Sequence, residues 1–180
     1  MSDECTAETA CSGRPARSSR QDCLALLETI IGHAPGGVRG TAVFLLDCDD
    51  AAGGAGRGGR PELDEATAAE AARRIRAASP AWHRMLHGEN GEFIVIAQGL
   101  VDGGTVLGTA ARLVHAFDEA LQAAEPPMTA EVSVGIAFAP QHGMRAESLL
   151  AAAESGLREA IGAARRGQRR RVPNVPPSSS

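Results

Sequence analysis

The sequence predicts an α/β sandwich: a mixed central β-sheet that contains a β-hairpin, with helices packed against it. Three observations carry this. First, Asn90-Gly91 separates two apolar-rich stretches, residues 82–87 and 93–97. An Asn-Gly pair is the strongest short-range hairpin signal, because a type I′ turn needs positive φ at both central positions. Second, residues 41–46 and 129–139 are further strand-like runs rich in Val, Ile, Leu and Phe. Third, four other segments repeat apolar residues at helical spacing. Helices alternating with a hairpin-containing sheet approach the split βαβ theme.

The elements follow in order. Residues 1–20 are polar and lack apolar periodicity, so a disordered tail is expected. Residues 22–33 place Leu24, Leu27, Ile30 and Ile31 on one helical face, and Pro35-Gly-Gly37 stops the helix. The run at 41–46 suits a strand covered on both faces or central in the sheet. Residues 51–60 are Gly-rich but lack the Lys-Ser/Thr ending of a P-loop, and read as a flexible connection. Residues 64–78 form a helix with Asp64 as N-cap and Arg73, Arg74 and Arg76 near the negative end of its dipole. The hairpin at 82–97 is expected to sit centrally, flanked by the strands at 41–46 and 129–139. Residues 105–124 form a long helix with Val106, Leu107, Ala110, Leu113, Val114, Phe117 and Leu121 on one face. Pro126-Pro127 closes it. The last helix covers 146–165, a basic run follows at Arg165–Arg171, and 173–180 form a second disordered tail.

Composition narrows the function classes. Length 180 fits one domain with a real core. Aromatic content is only 3%, with no Tyr, which argues against a base-stacking platform for single-stranded nucleic acid. A net charge of −4 gives no general attraction to nucleic acid or anionic membranes. All basic residues are Arg, and Lys is absent. Arg165, Arg166, Arg169, Arg170 and Arg171 read as a solvated helix end rather than a nucleic-acid or lipid site. Cys5, Cys11, Cys23 and Cys48 form no CxxC pair and read as free thiols. The five His have no metal-ligand spacing. With no membrane-length apolar run and no signal-peptide pattern, a cytoplasmic location is expected.

Glu89-Asn-Gly-Glu-Phe93 resembles a degraded signature of the GGDEF family, the diguanylate cyclases. Phe44-Leu-Leu-Asp-Cys-Asp49 is similar to that family's strand ending in Asp-x-Asp. Val132-Ser-Val-Gly-Ile-Ala-Phe-Ala-Pro140 resembles its (S/T)-x-G-(I/V)-A strand, and Ser148-Leu-Leu-Ala-Ala-Ala-Glu154 the helix after it. The resemblance spans residues 21–172. It implies a GGDEF-like sandwich with a nucleotide-cyclase-like palm.

It also implies a site. Asp47 stands where the family's Asp binds Mg²⁺ bridging a triphosphate. Phosphoryl transfer through two metals needs a second carboxylate beside it. The family takes that carboxylate from the third signature position, here Gly91. Glu92 stands at the fourth position and Glu89 at the first, so these two are the residual catalytic candidates. For nucleotide binding the resemblance points to Asn90 and Gly91 in the signature. It points also to an acid after the first strand, Asp64 counted from Asp47 or Glu65 counted from Ile75. The family's guanine-reading Asn falls on Ala55, its phosphate-contacting Lys on Ile161, and its product-inhibition Arg-x-x-Asp on Pro80-Ala-Trp-His83. Arg165 and Arg166 lie a turn beyond the lysine position and are expected to point elsewhere.

The expectation is therefore a degenerate GGDEF-like domain without cyclase chemistry. It would act as a signalling and regulatory module that binds a protein partner. No cofactor is expected, with Mg²⁺ only if nucleotide binding is retained. GTP or cyclic di-GMP remain candidate ligands, and a homodimer stays open. The alternatives are a divergent diguanylate cyclase making cyclic di-GMP from GTP, and a small-ligand sensor on the same sandwich.

Overall fold

The structure, a computed structural model, describes residues 17–33, 40–50, 63–79, 83–88 and 91–171. The described elements run β1 (Arg17–Ser18), α1 (Arg20–His33), β2 (Ala42–Asp50), α2 (Glu65–Ala78) and β3 (His83–Gly88). They continue with β4 (Phe93–Ala97), α3 (Gly103–Gln122), β5 (Ala130–Phe138) and α4 (Ala146–Arg171). One mixed five-stranded sheet has the order β1-β3-β4-β2-β5.

β2 is an interior strand, and both its faces are apolar. Ala42, Phe44, Leu46 and Cys48 point into one core with α2 and α3. Val43 and Leu45 point into the other, with α1 and α4. Period-2 alternation makes these opposite faces of one strand. The hairpin therefore does not lie between the two expected flanking strands: β2 itself separates β4 from β5. β3 carries the half-exposed His83 and the exposed Arg84, and sits outside β4.

The turn also differs from expectation. The β3–β4 register pairs His87 with Phe93, and Gly88 N donates to Glu92 O at 2.7 Å. Three residues thus separate the closing pair, not two. Gly91 N donates to Gly88 O at 3.0 Å, and Gly91 has φ +88°. A left-handed residue just before the closing position is the mark of a three-residue hairpin loop. Glu89, Asn90 and Trp82 lie outside the described residues.

Two further differences have local causes. Arg17–Ser18 pairs in parallel with His87 and Gly88, so part of the stretch assigned to a tail belongs to the sheet. α1 begins at Arg20 because Ser19 and Asp22 cap each other. Asp22 N donates to Ser19 Oγ at 3.1 Å, and Ser19 N to Asp22 Oδ2 at 2.8 Å. This is a reciprocal capping box with Asp in the acidic position. On α3, Leu107 is 65% exposed, because the buried face follows Val106, Ala110, Leu113, Phe117 and Leu121. The remaining residues of the two tails lie outside the described ones.

Gly135 of β5 fixes how close α4 can come. A Cβ there would run into the Ala153 carbonyl and lie 2.5 Å from Leu157 N. Only glycine lets this helix rest on the strand.

Candidate functional site

The site lies at the end of β2, where the apolar run gives way to Asp47-Cys-Asp49. Asp47 and Asp49 share parity with Val43 and Leu45, which puts them on the α1–α4 side of the sheet. The β2–β4 ladder ends at Leu46–Phe93, so the next residues along are Asp47 and Glu92, side by side on neighbouring strands. Asp47 is only 3% exposed, and its Oδ1 accepts from Cys48 N at 2.9 Å. Glu92 folds over Gly88: a Cβ on that glycine would be 2.5 Å from the Glu92 carboxyl carbon. Phe93 is fully buried, stacked on His87 at 4.7 Å and edge-on to Phe117 at 5.2 Å. His87 is thus part of the wall behind the signature.

Arg165 corrects an expectation. Its Nη2 donates to Asp49 Oδ1 at 3.1 Å, so it reaches the acidic strand end instead of pointing away. α4 passes directly along this side of the sheet, which a count of helical turns in the sequence does not reveal.

Asp64 caps α2, accepting from Thr67 N at 2.7 Å, and this backbone hydrogen bond holds its carboxyl below the usual range. Glu65 is the exposed first residue of α2. Gly91 has open space around its missing Cβ, but its φ of +88° is one that side-chain-bearing residues rarely adopt. Glu89, Asn90 and Ala55 are outside the described residues.

The donor set does not fit the family's pair of Mg²⁺ ions. Gly91 offers no side-chain ligand where the second carboxylate belongs. Among the described residues no group of three His, Cys, Asp or Glu side chains converges as a metal would need.

A feature the sequence did not signal adjoins this end of the sheet. A cavity of about 330 Å³ opens between the start of α1, β4 and α4. Ile94, Leu150, Leu157 and Ile161 form its apolar wall, and Arg20, Glu92, Glu154 and Arg158 its polar groups. Arg20 Nε donates to Glu154 Oε1 at 2.8 Å. Cys23 closes the floor, and burial, reinforced by Glu154, pushes its thiol up to about 11. The helical spacing of Leu150, Glu154, Leu157, Arg158 and Ile161 was readable as one face of α4. That a void faced it was not.

No protein-family model matches the chain, and no curated protein does. Solved structures do. A sensory box/GGDEF family protein from Caulobacter crescentus CB15 matches with TM-score 0.61 and 25% identity, over 83% of this chain and 96% of that one. The active GGEEF domain of a diguanylate cyclase from Vibrio cholerae matches with TM-score 0.60 and 13% identity, over 82% and 93%. The diguanylate cyclase SiaD of Pseudomonas aeruginosa, solved in complex with its activator SiaC, matches with TM-score 0.59 and 15% identity, over 84% and 59%. Among the described residues no helix is long and apolar enough to cross a membrane.

Proposed function

We propose that this chain, a GGDEF-like domain by its fold, is a signalling module that makes no cyclic di-GMP and acts by binding a protein partner. One observation carries the reading: where a cyclase places the second metal-holding carboxylate, beside the one at the Asp47 position, this chain has Gly91. A two-metal displacement needs carboxylates to hold both ions, and a glycine at one of the two positions supplies none. The lysine position on α4 is Ile161, which lines the apolar wall of the cavity and donates nothing to a phosphate. Removing one electrostatic donor from a transition state costs about 2.7–4 kcal/mol, so two such losses remove useful turnover. Residual binding of GTP or cyclic di-GMP through Asp47 and the hairpin remains compatible with this role. SiaD, solved in complex with its activator SiaC, is a protein containing this fold that binds a protein partner.

A divergent diguanylate cyclase is the second reading, favoured by the neighbouring positions of Asp47 and Glu92. Incubation of purified protein with GTP and Mg²⁺ or Mn²⁺, followed by mass spectrometry of the nucleotides, separates the two. The expected result is no cyclic di-GMP above the protein-free control. The combination Glu89→Gly, Asn90→Gly and Gly91→Asp is expected to stay inactive, since Ile161 and Arg165 remain. Product made by the unaltered protein and abolished in Asp47→Ala would replace this reading with the cyclase.

A further inference from the structure

The two edges of the sheet are unlike. One is closed in part by β1, and β3 behind it carries the exposed Arg84. The other is β5, nine residues long, with β2 on one side and no further strand among the described residues on the other. From Val132 to Phe138 it has no charged residue and no proline. An edge strand without such features is a template for another strand.

One hydrogen bond shows which backbone groups this edge offers. Ala139 N donates to Thr41 O at 3.0 Å, so residue 139 faces β2. Antiparallel pairing repeats every second residue, so Ala137, Gly135, Ser133 and Glu131 also direct their backbone groups at β2. Those of the alternate residues point outward. Phe138 is already occupied: its N–H donates to His142 Nδ1 at 3.1 Å, and its carbonyl accepts from His142 N at 3.0 Å. Ala130, Val132, Val134 and Ile136 remain, with outward groups that no strand meets among the described residues. Their side chains pack half-buried against the α2–α3 core, which makes the edge apolar. On the other face α4 places Gly156 beside Ile136. A Cβ there would be 3.5 Å from Ile136 N, and glycine puts no side chain over that amide.

The four open residues are symmetric about Ser133. A second copy laid antiparallel, with Ser133 opposite Ser133, pairs Ala130 with Ile136 and Val132 with Val134, and every open group finds a partner. Any shift of two residues either calls on Phe138 or leaves open groups unmet. The same register sets Glu131, the sole charge of the strand, opposite Gly135, so no like charges meet and no side chain crowds the carboxylate. Val132 opposite Val134 is a pair of β-branched residues, which suits a sheet. An extended segment of another protein would meet the backbone groups without this symmetry. We infer that two copies of this chain join through β5 into one continuous sheet, with a two-fold axis at Ser133. The inference stands independently of whether the chain turns over GTP.

Sedimentation equilibrium of the full chain across a dilution series is the first test, and a reversible dimer is expected. Val134→Pro removes an N–H that faces away from β2, so the ladder within each copy keeps its bonds. It is expected to raise the dimer Kd at least tenfold, with circular dichroism reporting the fold. Ser133→Cys probes the register with a side chain of similar size. Directly opposed residues of a non-hydrogen-bonded pair have Cα atoms about 4.5 Å apart, which a disulfide spans. Mild oxidation is expected to give a covalent dimer of Ser133→Cys, with the unaltered chain and its own four Cys as the background. A monomer at every concentration means that something else, another part of the chain included, covers the edge, and it overturns the inference. So does a dimer that gives no cross-link at Ser133→Cys above background, or one that Val134→Pro leaves unchanged.

Discussion

The two faces of the sheet are packed by different means. All four phenylalanines of the chain, Phe44, Phe93, Phe117 and Phe138, lie in the core shared with α2 and α3. The core shared with α1 and α4 contains none and is built from Leu, Val, Ile, Ala and Cys. The first face has rings in edge-on contact. Beside the second, a pocket of about 330 Å³ opens to the surface. Aromatic side chains bury the most area each and fill space that small aliphatic ones leave open. The phenylalanines are all on one face, and beside the aliphatic one a pocket opens where β4 and the charged part of α4 meet.

That contrast is open to attack by mutation. The largest effect is expected on the aromatic face: Phe117→Ala removes a fully buried ring that meets Phe93, and should cost about 3–5 kcal/mol in denaturant unfolding. A loss below about 1 kcal/mol would mean that this face is no more tightly packed than the other. On the aliphatic face the expectation reverses. Cys23→Leu extends a side chain into existing space, so stability should change by less than about 1 kcal/mol, and in a well-packed core the same insertion costs about 1–3.

The smallest effect is electrostatic and lies on the outer surface of the aromatic face. Glu70 on α2 is held down to about 2 by its hydrogen bonds to Arg73 and Arg74. Its folded value is depressed below the ordinary 4.5, so the stability it adds is present above that value and is lost as pH falls from about 4.5 to about 2. Both partners are in solvent contact, and exposed pairs contribute little. Melting temperature followed through this range should fall less steeply in Glu70→Gln than in the unaltered chain. Identical slopes would remove Glu70 from the acid response.

Much of the frame was legible from one dimension. The apolar run at β2, the hairpin strands and the four helical segments follow from period 2 and period 3.6, which depend only on neighbours in the chain. So does Asp64 at the start of α2, where a side chain three residues from its partner decides the cap. The resemblance through Glu89-Asn-Gly-Glu-Phe93 pointed to the fold that the solved GGDEF structures share.

Other features came from the tertiary structure alone. The position of β2 between β4 and β5 depends on which strand has two buried faces once the helices are in place. The three-residue hairpin loop depends on the β3–β4 register, which the full ladder sets and the Asn-Gly pair does not. Arg165 meets Asp49 across 116 positions of sequence because Gly135 lets α4 settle on β5. The pocket depends on how α1, β4 and α4 come together, and no local pattern records that. Sequence by itself determined the four helices and the strands β2 to β5, and which chemical groups stand at the strand ends, but not the pairing of Arg17–Ser18. Distance and volume between segments far apart in the chain decided which of those groups meet, and what room is left between them.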